Sequence, residues 1–299
     1  MSAPTIAYVD PTVFKFNVPP AFSDIGKSTT DLLAKDFPVG AAKLEVNTVT
    51  SNGIKFTVLG NKDNKTGAIA SELKSKYTDK LRGVTITESW TTSNVLGAQV
   101  ELDNTLARGL KLDLSASLLP AKGTKNAKAG VEYKQDYLFT RSSVDLFKGP
   151  TLHGDAVVGN DGFLAGGEVA YDISDARVTK YNMAFGYLGR DYSVALHATN
   201  ALSTFSASYF HRVNRDVEAG AKATWVKSVD NTVHVEVGTK YTLDNAAFLK
   251  AKVDNRGQLG LGYTQVLRPG VKLSLGGLFD TTRFHENVHK VGLALTLEA

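Results

Sequence analysis

Six histidines and thirty acidic residues could supply acid–base or metal chemistry, but their spacing does not assemble it. His153, His197, His211 and His234 fall on separate segments, whereas His285 and His289 stand four residues apart around Glu286. No GxSxG elbow, phosphate-binding loop or GxGxxG turn occurs. Gly260-Leu261-Gly262 lies in a strand-like stretch with no helix after it. With no cysteine in the chain, disulfides and thiolate metal centres are excluded. The expectation is therefore no enzyme, no metal and no cofactor. What remains is charge set singly among apolar residues. Lys27, Asp31 and Lys35 lie on the polar part of an amphipathic stretch, and Lys111 sits between Leu110 and Leu112. Such lysines attract anions as point charges. Glu88 shares the alternation of Val84, Ile86 and Trp90, so it falls on an apolar face. An acid there is costly if that face meets lipid, and is a functional hypothesis by default. A bulge turning Glu88 to the other face is the competing arrangement.

These charges are placed by a pattern of period two. Leu110, Leu112, Leu114, Ala116 and Leu118 alternate with Lys111, Asp113, Ser115 and Ser117. Val217 to Trp225, Val233 to Tyr241 and Val271 to Phe279 repeat the pattern, as do residues 96–103, 181–188 and 192–199. The segments run about nine to eleven residues between short turns such as Ser51-Asn52-Gly53 and Arg268-Pro269-Gly270, as transmembrane β-strands do. Aromatics stand near segment ends (Trp90, Tyr133, Tyr171, Trp225, Tyr241, Tyr263), as interfacial girdles would. The other face carries charge in almost every segment and cannot close into a dry core. The expected fold class is an all-β transmembrane β-barrel with a water-filled lumen, spanning residues 40–299. A soluble β-rich binding module would place the same charges on its exterior.

Residues 21–37 are the one helical candidate. Ser23 stands at a capping position, and Ile25, Leu32 and Leu33 share a side. Inside a barrel this helix lines the pore; the competing placement is flat on the membrane surface. Residues 1–20, with Pro4, Pro11, Pro19 and Pro20, read as an extended arm without secretory or transit features. The 299 residues have 42% hydrophobic and 21% charged content, with mean hydropathy -0.13, and no apolar run approaches a spanning helix. A net charge of +4 favours anionic partners only mildly and excludes the basic stripe of a nucleic-acid binder.

Several stretches resemble the voltage-dependent anion channel family, the mitochondrial porins, and its fungal members most closely. They are Pro20-Ala-Phe-Ser-Asp-Ile-Gly-Lys27, Gly109-Leu110-Lys111, residues 213–225 (VNRDVEAGAKATW), residues 261–275 (LGYTQVLRPGVKLSL) and His289-Lys290-Val291-Gly292. Between residues 241 and 263, Tyr241, Asp244, Ala247, Ala251-Lys252-Val253-Asp254-Asn255 and Gly260-Leu261 follow the eukaryotic porin signature, with Asn245 a departure. The resemblance implies a barrel of 19 strands with the N-terminal helix in the pore. That count belongs to the family and is not read from the periodicity. About 260 residues over 19 strands leave roughly 14 per strand and turn, which is compatible.

By the same resemblance, the function is a voltage-gated aqueous channel of the mitochondrial outer membrane for metabolites, anions and adenine nucleotides. A related barrel for protein import or membrane tethering is the alternative. Lys27 and Lys35 match nucleotide-contact positions, whereas Thr30 replaces an arginine of animal relatives. Lys111 belongs to a nucleotide-associated triplet, with a generic lumen charge as the plainer reading. Dinucleotide contacts would map to Gln258, Leu259, Gly260, Gly276, Gly277, Leu278, Phe279 and Asp280. Glu88 matches a lipid-facing glutamate linked in animal relatives to kinase docking, calcium response and self-association. Lys290, Gly292, Leu295 and Leu297 resemble the last-strand signal that barrel-assembly machinery reads. The implied partners are membrane lipids and sterol, ATP, ADP and other metabolite anions, hexokinase-like kinases, the assembly machinery and a second copy of the chain.

Overall fold

The computed structural model describes residues 18–147, 149–227, 232–283, 286 and 289–298. Most of the proline-bearing arm, and His285, lie outside the described residues. The strands are β1 (Ala41–Val49), β2 (Lys55–Asp63), β3 (Ile69–Asp79), β4 (Val84–Thr91), β5 (Leu96–Asp103), β6 (Leu110–Leu119), β7 (Thr124–Gln135), β8 (Leu138–Asp145), β9 (Thr151–Asn160) and β10 (Phe163–Asp172). They continue with β11 (Arg177–Leu188), β12 (Tyr192–Thr199), β13 (Thr204–Arg212), β14 (Val217–Val226), β15 (Val233–Thr242), β16 (Ala247–Asp254), β17 (Gln258–Arg268), β18 (Val271–Asp280) and β19 (Lys290–Glu298). Each pairs antiparallel with its sequence neighbours, in one sheet of 19 strands.

Closure follows from the odd count. β1 and β19 run parallel, with Leu44 opposite Leu295 and Val46 opposite Leu297. A closed sheet leaves no edge of unpaired N–H and C=O groups, which the hydrocarbon of a bilayer would not tolerate. Register keeps the two faces distinct around the ring. Leu44 pairs with Gly60, Ile86 with Val100, Leu112 with Val131, and Leu275 with Leu293, all on the outer face. Leu73, Trp90, Leu114, Phe185, Leu249 and Leu261 are exposed there, forming an apolar exterior that a water-soluble module would bury.

The N-terminal segment is shorter and more broken than one continuous helix over 23–37. A 3-10 turn covers Phe22–Asp24, and α1 spans Lys27–Ala34. Ser23 lies inside the turn and caps nothing; the N-cap of α1 is Gly26, in the left-handed region at φ 73°. An eight-residue helix is marginal by itself. It persists because one side of it is buried against the wall.

Candidate functional site: the lumen and its helix

The inward face of the barrel carries polar and charged residues on nearly every strand, and the N-terminal segment lies against part of it. The 3-10 turn touches β9 and β10, while α1 lies across β13, β14 and β15. Phe22, Ile25, Leu32 and Leu33 are buried at this contact. Each such side chain contributes about 1.5 to 3 kcal/mol when fully removed from water.

The wall makes room with glycines at inward positions. A Cβ on Gly220 of β14 would stand 2.9 Å from Leu32 Cδ2, and one on Gly238 of β15 would stand 2.6 Å from Leu33 Cδ2. Gly166 faces Phe22, Gly186 faces Ile25, Gly262 faces Asp36 and Phe37, and both Gly276 and Gly292 face Pro38. The row from β10 to β19 forms a shallow seat for residues 22–38. It was not found from the sequence, although its signal is there: glycine recurs at inward parity on neighbouring strands.

The charged residues of the segment remain toward the pore. Lys27 is exposed and bonds Asp24 at 2.9 Å. That hydrogen bond raises the ammonium pKa above its ordinary value. Asp31, Lys35 and Asp36 line a cavity of about 280 Å³ with Arg212, Glu218, Lys240 and Lys250, where Glu218 pairs with Arg212 at 3.7 Å and Lys240 at 3.6 Å. Asp36 also pairs with Lys272 of β18 at 3.1 Å. This mixed cluster at the helix end can hold small anions by charge without a fixed binding geometry.

Lys111 of β6 points inward, as its alternation requires, but it is not an isolated cation. It pairs with Glu101 at 2.9 Å and stands opposite Asp103 on β5 and Glu132 on β7. Glu101 and Asp113 are themselves directly opposed. Further inward ion pairs follow around the wall: Lys134 with Glu132 at 3.7 Å, Lys128 with Asp145 at 3.8 Å, Arg141 with Asp155 at 2.8 Å and Lys180 with Glu168 at 3.0 Å. The wall from β5 to β10 is therefore rich in carboxylates, while basic side chains gather around the end of α1.

Glu88 lies on the outer face, paired with Ser75 on β3 and Ala98 on β5 in unbroken ladders. No bulge turns it inward. It borders an external cleft of about 670 Å³ with Leu73, Trp90, Ala98 and Phe147. Of the dinucleotide candidates, Gln258, Gly260, Gly276, Leu278 and Asp280 face inward, whereas Leu259, Gly277 and Phe279 share the outer face with Tyr263 and Leu275. Gly276 is covered by Pro38, and Asp280 is held by Arg283 at 2.8 Å. In β19, Leu295 and Leu297 point outward in the closing seam, whereas Lys290 and Gly292 point inward.

The family model for eukaryotic porins matches residues 18–292. The mitochondrial outer membrane protein porin of Neurospora crassa is 45% identical over 281 residues, covering 94% of this chain and 99% of that protein. The protein of the same name in Candida albicans is 46% identical over 282 residues, again 94% and 99% of the two chains. The voltage-dependent anion-selective channel of Drosophila melanogaster is 39% identical over 283 residues, with coverage of 94% and 99%.

Proposed function

This chain belongs to the eukaryotic porin family and is a voltage-gated anion channel of the mitochondrial outer membrane, and we propose that its cargo is small metabolite anions, adenine nucleotides among them. The observation that carries the reading is the two-faced closed barrel: apolar outside, charged inside, with the N-terminal segment along one part of the wall. Passage through it is diffusion in water, biased by fixed charge over about a Debye length, roughly 8 Å at physiological salt.

Lys27, Asp31 and Lys35 border the narrowed side and meet anions first as mobile charges. Lys111 is one of several cations, with Lys128, Lys134 and Arg141, on a wall where carboxylates outnumber them. Gln258, Gly260, Leu278 and Asp280 are the inward members of the dinucleotide set that could touch a ligand in the lumen, with Gly276 beneath Pro38. The outer face takes membrane lipid and sterol, and Glu88 offers the polar point at which a kinase or a second copy of the chain would dock. Lys290, Gly292, Leu295 and Leu297 serve the assembly machinery.

Efflux from liposomes tests the cargo. Vesicles holding the refolded chain should release ATP and inorganic phosphate while retaining a large dextran. Retention of ATP in vesicles that pass chloride would refute the nucleotide reading.

A further inference from the structure

Lys250 of β16 faces the water-filled side of the barrel, yet only 5% of its side chain is exposed. Its ammonium donates to the carbonyl oxygen of Asp31 at 3.0 Å and to that of Lys35 at 2.9 Å. Asp36 Oδ2 stands 3.8 Å away, and the Phe37 ring centroid 5.7 Å. These carbonyls belong to the last turn and C-cap of α1, where the macrodipole is negative; the Asp31 oxygen also accepts the Lys35 N–H at 3.1 Å, so Lys250 adds a second bond there. The N-cap, Gly26, supplies no side-chain bond. The C-terminal end of α1 is thus held by a cation from the barrel wall.

Lys272 makes a useful contrast. It pairs with the Asp36 side chain, but it is 40% exposed. Lys250 instead grips helix backbone, and a buried ammonium is tolerated only where such partners surround it.

We propose that Lys250 is a wall-borne C-cap that seats α1, a positioning residue for the pore helix. Its charge is withheld from the lumen while the helix is docked and joins the lumenal field when the helix leaves. This rests on the reading of the barrel interior as an aqueous pore.

The cysteine-free chain permits a direct test. Thr29 is 1% exposed on the side of α1 against β14, so Thr29→Cys provides a single reporter thiol shielded by docking. A membrane-impermeant methanethiosulfonate reaches it only through the lumen. In the Thr29→Cys background, Lys250→Met should raise the modification rate at least tenfold, and Lys272→Met should change it less than twofold. Lys250→Gln carries the same expectation and serves if the methionine variant does not assemble. A rise at position 250 no larger than that of Lys272→Met would overturn the cap, because loss of any nearby cation would then suffice. Low-voltage conductance of the Thr29→Cys chain, measured in the same preparation, separates the two claims: a conducting channel with an unchanged rate defeats the cap alone, and a non-conducting barrel defeats the pore reading.

Discussion

Lys111 lies within a wall of carboxylates, and its pair with Glu101 at 2.9 Å leaves only part of its charge free to act at a distance. Lys111→Glu removes that cation and adds another acid beside Glu101, Asp103 and Glu132, so selectivity should move toward cations with the barrel intact. The shift in reversal potential should be clear near 0.01 to 0.1 M salt, where the Debye length is about 30 to 10 Å, and nearly vanish at 1 M, where it is about 3 Å. An unchanged reversal potential at the lowest salt would place Lys111 away from the ion path. Glu88 calls for the opposite kind of test, because its surroundings are lipid. Glu88→Gln should preserve insertion and conductance and stabilise the barrel by about 1 kcal/mol, read as a higher denaturant midpoint. A hydrophobic carbodiimide should label Glu88 ahead of the inward Glu101 and Glu132, since the reagent partitions into the bilayer. Labelling of the inward acids with Glu88 untouched would contradict the register of β4.

At the scale of elements, the last strand does two jobs that the structure separates. Leu295 faces outward in the seam with Leu44, while Gly292 makes room inside for Pro38. Placing charged residues at both Gly292 and Leu295 should block membrane assembly, measured as loss of protease-resistant barrel after import into isolated mitochondria. Gly276→Asp meets the same Pro38 but leaves the last strand untouched. It should assemble, and unimpaired assembly of the double variant would contradict a C-terminal signal. The strands were legible because alternation is a local property: Leu110 to Leu118 suffice to place Lys111 inward. Leu96–Asp103 and Tyr192–Thr199 match observed strands residue for residue. The break at Gly26 was not legible, because it depends on Ile25 meeting Gly186 and on Gly26 packing against Ala195 and Ser208, contacts more than 150 residues away in the chain. Lys250 read as one more inward lysine for the same reason; its burial comes from a helix that periodicity cannot locate.

The whole molecule joins a seam, a charged lumen and a helix seated on one side. The 3-10 turn and α1 touch strands from β9 to β15, Phe139 of β8 is buried in the same cluster as Phe22, and residues 36–38 continue to β19, so the contacts of the described N-terminal segment gather on one side of the wall. An opening of this kind remains filled with water, because so many charges cannot be desolvated together. Ions within it should move much as they do in bulk, slowed by geometry rather than by a tight binding step. The most direct test is the single-channel current of the refolded chain in a planar bilayer, recorded over a wide range of salt and voltage. The account predicts an open-state conductance that rises in proportion to bulk conductivity, and a lower-conducting state entered as voltage increases. A conductance that saturates at low salt, as a narrow binding pore gives, or no current from fully assembled barrels, would contradict it.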